Sequence, residues 1–115
     1  MRQSLCARLA EAAAEMMQRA VEGSVPMIRP AFGYPSCPDH SIKELVFNAI
    51  GAREKLEVSL TESYAIQPTT SICGLLIAHE QAGYFTVGQI DNDQITDYAK
   101  RRGLSVDEVR KLLNV

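Results

Sequence analysis

The sequence predicts an α+β fold: a small antiparallel β-sheet of about three strands, with helices on its N-terminal side and a helical pair at the C-terminus. Three observations predict it. Residues at both ends of the chain repeat apolar positions at three- and four-residue spacing, the period of an amphipathic helix. Between them lie three short stretches rich in β-forming residues. The chain has 115 residues, 46% of them hydrophobic and 23% charged, which is the size and balance of one globular domain spanning 1–115.

Taken in order, the first helix is expected from Ser4 to Glu22, with Leu5, Leu9, Ala12, Ala13, Met16, Ala20 and Val21 as its stripe and Gly23 as terminator. Ser24 to Pro38 holds four of the five prolines, which dictates an irregular extended loop. A second helix is expected from Ser41 to Ala49, with Ser41 and Glu44 as a capping box and Gly51 as its stop. Leu56 to Thr61 alternates apolar and polar residues and reads as a half-buried strand. Ile72 to Ala78 reads as a central strand, with Gly74 marking a close backbone approach. Tyr84 to Ile90 reads as a third strand, paired with the second as a hairpin. Asp91 with Gln94 and Ser105 with Glu108 are capping pairs for two final helices, separated by Gly103.

Composition narrows the function classes. The net charge of −2 gives no global attraction to nucleic acid or an anionic membrane. No stretch has the length and apolarity of a membrane span, and the start lacks an apolar signal core. Cys6, Cys37 and Cys73 are odd in number and widely spaced, so they read as reduced thiols of a cytoplasmic protein. Neither His40 nor His79 stands in a nucleophile–base context, so no catalytic residue is expected.

The segment Arg29 to Pro35 stands out. Prolines on both sides of Gly33-Tyr34 stiffen a backbone that forms no ladder, so its N–H and C=O groups are free to face something else. Arg29 carries a planar fork suited to a carboxylate. On residue types alone, a rigid connector remains open, with Tyr34 packed as core and Arg29 in a surface ion pair.

The run Arg29-Pro-Ala-Phe-Gly-Tyr-Pro-Ser-Cys-Pro-Asp-His40 closely resembles the R-P-x-x-G-Y-P-x-C-P-[DE]-H signature of the activation domain of cobalamin-dependent methionine synthase. Leu60-Thr-Glu-Ser-Tyr-Ala65 is similar to that family's L-T-E-S-[FY]-A, and Ser71-Ile-Cys-Gly74 to its S-V-S-G. Tyr84-Phe85-x-Val87-x-x-Ile90 resembles its Y-[FY]-x-V-x-x-I, and Asp93-Gln-Ile-x-Asp-Tyr-Ala-x-Arg-x-Gly103 its D-Q-V-x-D-Y-A-x-R-K-G. The first helix, through Arg8-Leu-Ala-Glu11-Ala12, resembles its R-L-x-E-A element.

The resemblance implies a module that binds S-adenosylmethionine (AdoMet) and supports reductive remethylation of cob(II)alamin. It implies the C-terminal half of the family domain in a shortened form, and a component of a methyltransferase rather than a complete catalyst. The implied partners are a cobalamin-binding domain carrying the cofactor, and flavodoxin or an equivalent reductase. Arg29 matches the arginine for the AdoMet carboxylate. Ala31, Gly33 and Tyr34 match the loop along the ligand. Tyr84 and Phe85 match an aromatic pair lining the same site, and Glu11 matches a first-helix glutamate near it. AdoMet presents a carboxylate, an ammonium, a sulfonium and an adenine, which suit a guanidinium, an acid and aromatic walls.

Rival readings remain. One is a ligand-free docking module for a corrinoid protein or reductase. A second is a helix-turn-helix DNA-binding module, from Ala99, Gly103 and Val109 with the basic run Lys100 to Arg102, although Asp107 and Glu108 open the second helix with charge that repels phosphate. Cys37 and His40 make half a zinc site without a second ligand pair, so no metal is expected. A homodimer through Leu75, Leu76 and Ile77 is a further expectation.

Overall fold

Two helical capping pairs decide the C-terminal end of the molecule. In the computed structural model, which describes residues 2–115, α4 (Asn92–Arg102) starts at Asp91, whose N–H donates to the Gln94 side chain at 3.0 Å. Helix α5 (Val106–Leu113) starts at Ser105, whose hydroxyl accepts the Glu108 N–H at 3.2 Å while Glu108 accepts the Ser105 N–H at 2.8 Å. Gly103 takes a left-handed conformation (φ 67) and ends α4, as the spacing predicts. The pair packs on Ile95, Ala99 and Val109, with Ile90, Tyr98, Leu104 and Leu113 around them. Full burial of a Val or Ile stabilises by about 1.5–3 kcal/mol each, so this small cluster is the main apolar anchor of the C-terminal end.

The remaining elements are α1 (Arg2–Val21), β1 (Met27–Ile28), α2 (Ile42–Ile50), α3 (Ala52–Leu56), β2 (Ser59–Leu60), β3 (Ile66–Gln67) and β4 (Ile77–Ala78). The α+β class holds, but the expected single sheet of about three strands is two separate two-stranded antiparallel ladders. In one, β1 pairs with β4, Met27 opposite Ala78 and Ile28 opposite Ile77. In the other, β2 pairs with β3, Ser59 opposite Gln67 and Leu60 opposite Ile66.

Three local expectations are corrected. Leu56 ends a helix rather than opening a strand, because Glu57 adopts a left-handed conformation (φ 54) and its N–H closes the turn onto the Arg53 carbonyl. The run Ile72 to Ala78 does not form a hairpin with Tyr84 to Ile90. Its ladder partner is β1 at the head of the proline-rich loop, and Tyr84 to Ile90 forms no strand. Residues 84 to 89 are all exposed and Gly88 has φ 76, so the β-formers there have no opposite face to bury. The apolar stripe of α1 faces outward. Cys6, Ala10, Ala14 and Gln18 turn toward the body, while Leu5, Leu9, Met16 and Val21 are exposed.

The Ser41–Glu44 capping box does not form either. Ser41 is itself in a helical conformation, and its hydroxyl donates to Asp39 Oδ1 at 2.6 Å. Glu44 instead pairs with Arg53 at 2.8 Å. Asp39 is the centre of this region. It is 3% exposed and accepts the Ser41 N–H at 2.8 Å on Oδ1. On Oδ2 it accepts the Tyr98 hydroxyl and Arg102 Nη1, each at 2.6 Å. Burial alone would raise its pKa. The hydrogen bonds from Ser41 and Tyr98 and the Arg102 charge overcome this and hold it below the ordinary carboxylate value. Burial and the bond to Asp39 push the Tyr98 hydroxyl up to about 12.

Asp39→Asn leaves Arg102 without its anion, and should cost about 3–5 kcal/mol in urea unfolding. Because the folded pKa is depressed, the stabilisation from Asp39 is present above the unfolded value of about 4 and is lost as pH falls through the folded value. Unfolding midpoints measured across acid pH should therefore flatten in Asp39→Asn.

Candidate functional site

The proline-rich loop after β1 is held from three directions. Its own turn is closed by the Gly33 N–H to the Cys37 carbonyl and the Cys37 N–H to the Tyr34 carbonyl, both at 2.8 Å. Phe32 is buried beneath it. Gly33 has φ 94, and a Cβ there would sit 1.9 Å from the His40 ring, so the turn requires glycine for both conformation and space. On the second side, the loop meets residues leading into β4. The Leu75 N–H donates to the Pro30 carbonyl at 3.0 Å, and Ala31 bridges Gly74. A Cβ on Gly74 would lie 2.6 Å from the Pro30 oxygen, which is the close approach its place in an apolar run suggests. On the third side, the Val87 N–H donates to the Pro35 carbonyl at 3.0 Å.

These ties create an open pocket of about 430 Å³, a volume typical of small-ligand sites. Six of the seven residues singled out from sequence line it: Glu11 from α1, Arg29, Ala31 and Tyr34 from the loop, and Tyr84 and Phe85 from the extended segment. Gly33 is not on the wall; it shapes the turn that presents Tyr34. Pro30, Pro35, Ser36 and Thr86 also line the pocket and were not singled out, although each lies within two positions of a residue that was. Tyr34 is 61% exposed, so the connector reading that packs it as core is overturned.

Arg29 is the polar centre. Its Nη2 lies 3.3 Å from Glu11 Oε2, a long contact for a charge-assisted pair. Its Nε is buried and has no hydrogen-bond partner among the described residues. Its backbone N–H donates to the Tyr84 hydroxyl at 2.7 Å, which locks the aromatic segment to the loop and leaves the hydroxyl proton to donate elsewhere. The wall thus combines a guanidinium with unused donors, a carboxylate beside it and three exposed rings. That set matches a ligand bearing a carboxylate, a cation and a flat aromatic group.

Beneath the loop, Lys43 is buried. Its ammonium donates to the Tyr64 carbonyl at 2.8 Å and sits 3.0 Å from His40 Nδ1. Burial, then the Lys43 charge, lower the His40 pKa, which favours a neutral ring under Gly33. Burial, then Asp39, raise the Cys37 thiol, the opposite of what a metal ligand needs. Among the described residues, no group of three or more His, Cys, Asp or Glu side chains comes together as a metal cage. In the helical pair, Arg102 is bound to the buried Asp39, while Arg101 lies 2.7 Å from Asp97 in an exposed pair.

Residues 1–103 match the family described as the vitamin B12 dependent methionine synthase activation domain, and the chain belongs to that family. Helix α5 lies beyond the matched residues. Among solved structures, the chain is similar to the crystal structure of the MetH reactivation domain bound to AdoHcy. The two share 35% sequence identity at a TM-score of 0.86, over 93% of this chain and 39% of that one. The chain therefore spans well under half the length of that relative. No helix among the described residues is long and apolar enough to cross a membrane.

Gly74→Ala forces the loop and the approach to β4 apart. It should lower thermal stability by about 1–3 kcal/mol, read by calorimetry, whereas Gly83→Ala, with nothing within 4 Å of the added carbon, should not.

Proposed function

We propose that this chain binds AdoMet in the pocket between α1, the Arg29–Tyr34 loop and the Tyr84–Phe85 segment. The observation that carries the reading is Arg29, half-buried beside a carboxylate with a buried, unpartnered Nε and lining an aromatic-walled pocket. In this reading the guanidinium takes the ligand carboxylate, and Glu11, released from its long contact, takes the ammonium. Tyr34, Tyr84 and Phe85 flank the adenine and the sulfonium. The similar structure bound to AdoHcy, which differs from AdoMet by one methyl group, supports the ligand class.

The wider role follows from the family. The module supports reductive remethylation of cob(II)alamin held on a cobalamin-binding partner domain, with the electron from flavodoxin or an equivalent reductase. AdoMet supplies the methyl group when bound. This chain's residues bind and orient it: Arg29 fixes one end, and the exposed rings leave the other end open toward a partner. A second reading, a docking module without its own ligand, draws on those same rings, since Tyr34, Tyr84 and Phe85 are each more than 60% exposed.

Titration calorimetry separates the two readings. AdoMet should bind, and Arg29→Ala should weaken it by about 10- to 100-fold, the value of hydrogen bonds to a charged group. Tyr84→Phe, which removes the acceptor of the Arg29 N–H, should weaken it by about 2- to 10-fold. No heat at millimolar AdoMet with a folded chain would reject the ligand reading. Capture of a corrinoid protein that is indifferent to Arg29→Ala would then favour the docking reading.

A further inference from the structure

The Gly33–Tyr34 turn rests on the imidazole of His40. A Cβ on Gly33 would meet three atoms of that ring, Cε1 at 1.9 Å, Nε2 at 2.3 Å and Nδ1 at 2.5 Å, so the ring packs directly against the Gly33 α-carbon. Ala31 and Tyr34, which line the ligand pocket, also line a second hollow of about 270 Å³ whose walls include His40, Lys43 and Cys73. One stretch of backbone thus borders both the ring and the ligand pocket. Lys43 fixes the ring in turn. Its ammonium sits 3.0 Å from His40 Nδ1 and donates to the Tyr64 carbonyl at 2.8 Å. The side chain is 8% exposed, so its charge is poorly screened. An ammonium has only protons to offer, so Nδ1 presents its lone pair and the neutral ring carries its proton on Nε2. Tyr64 is a firm anchor for Lys43: it sits between β2 and β3 at φ 65, and its own N–H donates to the Thr61 carbonyl at 2.9 Å.

Taking AdoMet as the ligand, as proposed above, we infer that neutral His40 is a positioning residue for its pocket, and that one proton on this ring unseats the Gly33–Tyr34 turn and weakens binding. In the imidazolium, Nδ1–H would point at an ammonium 3.0 Å away with no acceptor between them. Lys43 is tethered to Tyr64, so the ring is what gives way. The other ionisable groups nearby do not offset the added charge. Asp39, next in the chain, has its oxygens committed to Ser41, Tyr98 and Arg102. Glu11, from α1, lines the same hollow but contacts Arg29 at 3.3 Å. The Cys73 thiol, raised by burial, and the Tyr34 phenol supply no anion there. Burial and the Lys43 charge outweigh Asp39, so the ring holds a proton less readily than an ordinary histidine. Affinity is therefore full above the His40 pKa and declines as pH falls through it.

Solution NMR and titration calorimetry of the full chain read the two halves of this coupling. Without ligand, the Gly33 and Tyr34 amide resonances should shift together with the His40 ring as pH falls. Lys43→Met, which removes the like charge, should raise the pH of that transition. Amides that ignore the ring, or a transition unmoved in Lys43→Met, would overturn the inference whatever AdoMet does. With ligand, affinity should fall between about pH 7.5 and about pH 5.5 by about 3- to 10-fold more in the wild type than in His40→Asn. Asparagine keeps an acceptor near the Nδ1 position and takes up no proton. His40→Gln serves the same comparison where His40→Asn does not fold. Glu11 and the groups of AdoMet titrate alike in both chains, so the difference isolates His40. His79→Asn should keep the wild-type slope. Equal slopes in the wild type and His40→Asn would overturn the inference and leave the ligand reading standing. No binding at any pH, in a chain whose spectrum is folded, would reject the ligand reading and this inference with it.

Discussion

The Asp39 carboxylate connects parts of the chain that nothing local would bring together. Its two oxygens accept from Ser41, two residues away, and from Tyr98 and Arg102, 59 and 63 residues away. The proline-rich loop leads into Asp39 and α2 begins just after it, so this one side chain bolts the C-terminal helices to the frame of the pocket. Taking a carboxylate out of water is costly. Four donors, one of them a guanidinium, offset the cost, and Arg102 Nη2 adds a bond to the Ser41 hydroxyl at 3.1 Å. A network this complete also fixes geometry, since each member leaves the others few alternative partners.

The pocket depends on close approach as much as on polar bonding. Gly33 over the His40 ring and Gly74 against the Pro30 carbonyl are contacts that any side chain would block. They let the loop lie flat on its support and turn Arg29 and Tyr34 toward the same side. Tyr84 is added by a hydrogen bond to the Arg29 backbone, not by a strand. Glu11 arrives from α1, 18 residues earlier. The backbone that carries Arg29 is therefore fixed by the fold itself.

The helices were largely legible in the sequence, because their signals are local. Asp91 with Gln94, Ser105 with Glu108 and the terminal glycines act within one turn of the residues they cap. The one capping pair that misled, Ser41 with Glu44, was diverted by distant partners: Ser41 by Asp39 and Arg102, Glu44 by Arg53. Strands were legible only as β-forming stretches. Their pairing was not, because a ladder partner is chosen across the fold, and β4 chose Met27–Ile28 over the adjacent Tyr84–Ile90. The residues of the pocket were found through the family resemblance: Arg29, Ala31 and Tyr34 in the proline-rich motif, Glu11, Tyr84 and Phe85 in motifs elsewhere in the chain. Ser36, Thr86 and the Asp39 network carried no separate signal.

By itself, the sequence determined the α+β class, the capped helices at the C-terminal end, the rigid loop from Arg29 to Tyr34 and the family that loop belongs to. These rest on backbone propensity and on residue types within a few positions of one another. Only the tertiary structure decided which face of α1 turns outward, that Tyr34 lies exposed, and that Glu11, Arg29 and Tyr84 meet in one pocket. Those outcomes depend on burial and on hydrogen bonds between residues tens of positions apart, which no local pattern encodes.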